Sequence, residues 1–341
     1  MKVAFLVNDV ATEVDEYTTT RLARAAAQGG HEVWYVGLGD VELGERDNEM
    51  LARARAVEFE NNDTLETFME RIKGRDAQRI VMDDLDALWL RHDSIEDLQE
   101  RPWASPLGTV FGQMLKARGV TVVNDPACHA RASSKLYLEE FPQKIRPRSL
   151  VTRDPEAIER FVGQVGHCVV KPVYGAKGRN VFMVDDASET NLAQIAEAVL
   201  QDGYALVQEF VDGGEEGDCR IFLVEGQILE RDGTLAAFRR VPTGNDPRAN
   251  IGKGARSIAL AIGDAERAVV ESMSKKLVAD GMFFVGIDVV GDKVVEINAD
   301  SPGGMQSVER LYEADVCPTV IESLAHRAAQ HGVGSRRVSR P

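Results

Sequence analysis

The chain has 341 residues, room for two compact domains or one large α/β unit. Its 44 % hydrophobic and 28 % charged residues are ordinary globular values, which excludes disordered, collagen-like and disulfide-dense classes. Fifty-five carboxylates against 40 lysines and arginines leave a formal charge of −15, so nucleic acid and membrane surfaces are not expected partners, and any phosphate site must be a local basic island.

Met1–Val7 carries one lysine and an apolar run that stops at Asn8-Asp9, too short for a signal peptide and suited to a first buried strand. No run approaches the roughly 18 apolar residues of a membrane span. Cys128, Cys168, Cys219 and Cys317 are widely spaced and read as reduced thiols, so the expected location is the cytoplasm.

In chain order, Val3–Val7 reads as a strand, Thr18–Gln28 as a helix closed by Gly29-Gly30, and Glu32–Gly37 as a second strand. Arg79–Met82 and Ala87–Arg91 read as strand pieces, Pro106–Arg118 as a helix ended by Gly119, and Val120–Val123 as a strand. This alternation predicts a parallel α/β domain over residues 1–124. Gly37-Leu-Gly39 lacks the third glycine of a dinucleotide fingerprint. After the turn Asn124-Asp-Pro126 the pattern predicts a helix over Cys128–Glu140, an extended segment at Arg148–Thr152 and a helix from Asp154-Pro155.

From Gly166 the texture changes to β-branched runs between glycine turns: Cys168–Val173, Asn180–Val184, Ala205–Phe210, Arg220–Val224, Gln227–Glu230, Leu235–Val241, Phe283–Val290 and Lys293–Ile297. Tight turns at 224–227 and 290–293 predict hairpins and hence antiparallel α+β architecture. Helices are expected near Glu189–Leu200, Asp264–Asp280 and Pro318–His331, and residues 332–341 form a basic tail.

Three constellations carry chemistry. In Val170-Lys171-Pro-Val-Tyr-Gly175-Ala-Lys177-Gly178, a lysine at a strand end precedes a glycine loop with a second cation. This suits a cover for phosphates, and equally an ordinary hairpin with surface lysines. In Gly286-Ile-Asp288 and Glu296-Ile-Asn298, two apolar strands joined by Gly291-Asp292 bring Asp288 beside the returning strand. Glu296 and Asn298, two apart, share a face. Carboxylates inside apolar strands are costly unless partnered, and two carboxylates with an amide suit magnesium. The third set, Asp218-Cys-Arg220, Arg239-Arg240 and Arg248-Ala-Asn250, supplies the basic island. Arg220 and Arg240 on adjacent strands are placed to stabilise a transferring phosphoryl group or a tetrahedral intermediate, whereas Arg239 reads as part of a salt-bridged sheet face.

These motifs in this order, with Ser134-Lys135-Leu-Tyr, Gln208-Glu209-Phe210 and Arg91-His-Asp93 beside them, resemble the ATP-grasp superfamily and, within it, bacterial glutathione synthetases over about residues 80–315. The resemblance implies an N-terminal parallel α/β domain (1–124) followed by a two-lobed ATP-grasp domain (125–202 and 203–331) with antiparallel sheets. It implies that Lys135, Lys171, Gly175, Lys177 and Gly178 handle ATP phosphates and that Gln208, Glu209 and Phe210 form the adenine hinge. Asp288, Glu296 and Asn298 would hold two Mg²⁺ ions, with Mn²⁺ a possible substitute. Arg220, Arg240 and Asn250 would act on the reacting groups, and Arg91, Ser301, Pro302 and Gly303 on the substrate. Ser301-Pro302 is followed by glycine where bacterial glutathione synthetases usually carry threonine.

The implied reaction is ATP-dependent joining of a small-molecule carboxylate to an amine through an acyl phosphate, by a homo-oligomer. A glutathione synthetase acting on γ-glutamylcysteine and glycine is the first expectation. A ligase adding another amino acid to a peptide, protein tail or natural product is the second. A non-catalytic, synapsin-like ATP-binding scaffold is the third, opposed by the intact Arg220, Arg240, Asp288, Glu296 and Asn298.

Overall fold

A computed structural model of the chain describes residues 1–45, 49–61, 63–175, 179–188, 191–242 and 255–335. Strands β1 (Lys2–Val7), β2 (Glu32–Leu43), β3 (Met50–Val57), β4 (Gln78–Val81), β5 (Ala87–Leu90) and β6 (Thr121–Val123) form a first sheet in the order β4-β3-β2-β1-β5-β6. β1 pairs in parallel with β2 and β5, and β5 with β6, as the alternation predicts. The sheet is extended at one edge by antiparallel β3 and β4. The pattern does not show β3, because Ala52 and Ala54 face the core between arginines, and alanine gives little hydrophobic signal.

Helices α1 (Thr18–Gln28), α2 (Leu65–Gly74), α3 (Ser94–Glu100) and α4 (Leu107–Ala117) belong to this layer. Val3, Phe5 and Val7 pack on one side with Leu22 and Phe68, and Ala4 and Leu6 on the other with Leu88 and Leu115. β1 is therefore buried on both faces, as a parallel strand covered by helices must be.

The predicted helix over Cys128–Glu140 is broken. Helix α5 (Pro126–Ala132) ends, and a 3-10 turn follows at Lys135–Glu140. The Ser134 hydroxyl accepts from the Leu136 N–H (3.1 Å), and the Lys135 N–H donates to the Val173 carbonyl (3.4 Å). Serine hydroxyls that bond the local backbone compete with helix continuation.

Strands β7 (Ser149–Thr152), β8 (Cys168–Pro172), β9 (Phe182–Val184) and β10 (Ala205–Glu209) form a second, antiparallel sheet ordered β7-β10-β8-β9. It is backed by α6 (Pro155–Val165) and α7 (Leu192–Leu200) through Ile158, Val162, Leu192 and Val199.

The third sheet takes β11 (Asp218–Val224), β12 (Gln227–Ile228), β15 (Ala237–Val241), β16 (Arg256–Ala259), β17 (Phe284–Val290) and β18 (Lys293–Asn298), and β13 (Glu230–Arg231) pairs apart with β14 (Thr234–Leu235). Its path is β16-β15-β11-β17-β18, all antiparallel, with β12 on β11. One face packs on α8 (Asp264–Ala279) and the 3-10 turn, with Ile221, Met273, Ile287 and Leu138 in one cluster. The other face joins the first sheet: the Trp89 ring meets Phe283 and Phe284 edge-on at 5.5 and 5.9 Å. Helices α9 (Met305–Tyr312) and α10 (Cys317–Ser335) close this shared core. Among the described residues no helix is long and apolar enough to cross a membrane.

This junction carries the end of β5, with Arg91, to the segment after β18. Gly217 opens β11 at φ +96°, and a Cβ there would collide with the Arg240 carbonyl oxygen, so only glycine lets β11 and β15 approach at this point.

Candidate active site

Register across the third sheet assembles the centre. Asp288 of β17 lies opposite Arg220 of β11 on one side and Glu296 of β18 on the other, and Arg240 of β15 lies opposite Asp218. The Asp288 carboxylate is fully buried and accepts from Arg220 Nε (2.5 Å) and Nη2 (3.0 Å). Arg240 Nη2 reaches the same carboxylate at 2.6 Å and donates through Nε and Nη2 to Asp218 at 2.6 and 2.7 Å. Asn298 Nδ2 adds a contact to Asp288 Oδ2 at 3.3 Å.

Burial acts to raise the Asp288 pKa, but the two guanidiniums overcome it and hold the carboxyl below its ordinary range. Asp218 moves the other way, since burial and the adjacent Asp288 charge outweigh Arg240. The strand pattern does not single out Asp218 as a site residue. Its signal is its place two residues before Arg220, which puts both on one face.

The lysines stand beside this centre. Lys171, 8 % exposed, is the next-to-last residue of β8 and donates to Gln208 Oε1 at 3.0 Å, while the buried Gln208 Nε2 has no partner among the described residues. Lys135 donates to the Gly175 carbonyl and lies 3.7 Å from Glu296 Oε1. A small recess between the sheets is lined by Ser134, Lys135, Leu206 and Glu296. Of the residues expected to form a hinge, Glu209 and Phe210 donate their N–H groups to the Arg148 and His167 carbonyls at 2.9 Å each, and the Phe210 ring stacks on His167 at 4.1 Å.

Burial brings the Lys171 ammonium down to about 8, with Lys135 adding to the effect and Glu296 and Asp288 opposing it. The family resemblance assigns Lys171 to the ATP phosphates, and a lysine in that role must be protonated. kcat/KM for ATP is therefore expected to fall towards tenfold per pH unit above about pH 8 rather than above the ordinary lysine range. Lys171→Arg should remove that limb, because a guanidinium keeps its charge. A profile flat to pH 9.5 in the unsubstituted protein would refute the assignment.

The segment after β18 ties the centre to the first sheet. Arg220 Nη1 donates to the Gly303 carbonyl (2.9 Å), and Arg91 Nη2 lies 3.5 Å from the Pro302 carbonyl. Ser301 itself is half-buried. Asp300, which the sequence reading passes over, accepts from Ser94 (2.6 Å) and Ser133, and lies 3.3 Å from His129 Nε2. It thus joins α3, the end of α5 and this segment. Lys177, Gly178 and Asn250, with the loop around Gly244 and most of the basic tail, lie outside the described residues.

Asp288, Glu296 and the amide oxygen of Asn298 are hard donors on two paired strands, a chemistry that fits magnesium. Among the described residues no three His, Cys, Asp or Glu side chains group as metal ligands, so a cation here would rely on two carboxylates and one amide.

Compared with known families, residues 1–128 match "Prokaryotic glutathione synthetase, N-terminal domain" and residues 134–313 match "Prokaryotic glutathione synthetase, ATP-grasp domain". The chain belongs to the prokaryotic glutathione synthetase family. Relatives named glutathione synthetase include those of Synechococcus elongatus (29 % identical, covering 95 % of this chain and 98 % of the relative) and Gloeobacter violaceus (30 %, 91 % and 92 %). Among solved structures, D-cycloserine synthetase DcsG superposes with a TM-score of 0.65 at 13 % identity (96 % of this chain, 100 % of that one). The ATP-grasp ligase PsnB, complexed with minimal precursor, gives 0.62 at 21 % (96 % and 98 %). These structures share the fold. The family and its relatives make this chain an ATP-dependent ligase of the ATP-grasp type.

Proposed function

We propose that the chain is a glutathione synthetase, joining the cysteinyl carboxylate of γ-glutamylcysteine to the amine of glycine with release of ADP and phosphate. The observation that carries this reading is the Arg220–Asp288–Arg240 cluster, tied by Arg220 to the Gly303 carbonyl and flanked through Glu296 by Lys135, in a member of that family. In this reading Lys135 and Lys171 neutralise the ATP phosphates, and the lobes at 125–202 and 203–331 enclose the nucleotide. Arg220 and Arg240 stabilise charge on the transferring phosphoryl group and on the tetrahedral oxyanion. ATP phosphates compete with Asp288 for these guanidiniums, which releases carboxylate lone pairs. Asp288, Glu296 and Asn298 would hold two Mg²⁺ ions, whose chemistry is to offset phosphate charge. Arg91 and Ser301–Gly303 orient the donor. Asn250, Lys177 and Gly178 join the site as the resemblance implies.

The glycines at 303 and 304 favour testing an acceptor other than glycine as a second reading. An ADP-release screen with γ-glutamylcysteine and each amino acid decides. Turnover with glycine alone supports glutathione synthesis, and turnover with a different amino acid replaces it.

A further inference from the structure

Asp300 is the second residue after β18, and its side chain is 13 % exposed. Oδ2 accepts from the Ser94 hydroxyl (2.6 Å) at the start of α3, and Oδ1 accepts from the Ser133 hydroxyl just past the end of α5. Among the described residues no lysine or arginine pairs with it, and its one neighbour at ion-pair distance is His129, whose Nε2 stands 3.3 Å from Oδ1 without closing a hydrogen bond. The His92 ring lies 5.7 Å from that of His129, and both imidazoles are fully buried with neither ring nitrogen hydrogen-bonded among the described residues. His92 in turn is seated by Gly108 of α4, where a Cβ would collide with its ring. The two hydroxyls therefore carry the polar ties of a carboxylate that is costly to bury without a cation. Both come from segments far away in the chain, 206 and 167 residues from Asp300.

The residues around Asp300 are tied through their backbone. Asn124 Nδ2 donates to the Ala299 carbonyl at 2.7 Å, and Arg220 Nη1 to the Gly303 carbonyl at 2.9 Å. Among the described residues Asp300 is the one side chain of 299–303 that makes a hydrogen bond. A carbonyl can be met whatever the residue, whereas a carboxylate offers two acceptor oxygens to hydroxyls arriving from two different elements, and an amide would offer one. We propose that Asp300 is a positioning residue for the ligase reaction: it seats the 301–303 segment against α3 and the end of α5, so that the Gly303 carbonyl meets Arg220. Asp300 acts through that carbonyl and Arg220, not on the reacting atoms. The assignment rests on the reading above in which 301–303 orients the donor, and it adds the contact that sets where this segment lies.

The test uses the full chain with γ-glutamylcysteine as donor, glycine as acceptor and ADP release as readout, each substrate varied in turn. Ser94→Ala should raise the donor KM by about 10-fold, the worth of one hydrogen bond to a charged group, and Asp300→Ala by on the order of 100-fold, with the KM for ATP at its wild-type value in both. Ser94→Thr, which keeps the hydroxyl, should restore the donor KM. The double variant Ser94→Ala/Asp300→Ala should lose no more than Asp300→Ala alone, because both act through one contact. Ser94→Ala removes a single hydroxyl and keeps the test decisive if Asp300→Ala does not fold. Both KM values rising together, additive losses, or wild-type kinetics in folded Ser94→Ala would overturn the positioning role and leave the ligase reading standing. If wild-type protein turns over γ-glutamylcysteine with no amino acid, the glutathione reading falls instead. Hydrogen–deuterium exchange of the unliganded chain then decides: faster exchange in Ser94→Ala confined to 299–304 supports the role of Asp300, and exchange there that is unchanged, or faster throughout the chain, refutes it.

Discussion

Asp288→Asn is expected to reduce ADP release by about 10³-fold, the larger of the two losses anticipated for single substitutions at the centre. Among the described residues Asp288 is the one carboxylate that both Arg220 and Arg240 hold, and it faces Glu296 across the β17–β18 pair. The asparagine keeps the shape but removes the negative charge that Arg220 and Arg240 neutralise and that the proposed cation would need. Because one partner of a fully buried ionic network is lost, stability should fall as well, by about 3 kcal/mol. Thermal unfolding and steady-state kinetics on the same preparation separate the two effects. Full activity in the folded variant, with an unchanged magnesium dependence, would remove Asp288 from the site.

Arg220→Lys should lower kcat by about 10²-fold and raise the donor KM, while the KM for ATP changes little. The guanidinium makes a two-point contact with Asp288 and reaches the Gly303 carbonyl with its remaining Nη1. An ammonium cannot span both, so the substitution is conservative in charge alone. The 301–303 segment then loses its tie to the reacting centre. Steady-state kinetics with each substrate varied in turn checks this. A loss confined to the KM for ATP would place Arg220 on the nucleotide rather than between phosphoryl group and donor.

Much of the centre was legible before folding was considered. Glu296 and Asn298 share a face because strands have a period of two, and the short Gly291-Asp292 turn returns that face to Asp288. The hairpin at 224–227 is likewise present, with Val224 opposite Gln227. The helix expected over Cys128–Glu140 shows where the pattern runs out. Its apolar spacing continues past Ser133, but the Ser134 hydroxyl and the Val173 carbonyl take the backbone N–H groups and turn Lys135 toward Gly175 and Glu296. Strand β3 was hidden for another reason, since alanine at its inward positions hardly differs from a polar residue in a hydrophobicity pattern.

Strand periodicity, turn chemistry and charge composition are local quantities, and they were enough to mark Lys171, Arg220, Arg240, Asp288, Glu296 and Asn298 as candidates, whereas Lys135 was marked by family resemblance alone. Which of these groups touch was settled by packing between segments far apart in the chain. Arg220 and Asp288 are 68 residues apart, and Ser94 and Asp300 are 206 apart. Nothing in the spacing of either pair sets a distance, because each depends on how strands register and how Trp89 seats against Phe283 and Phe284.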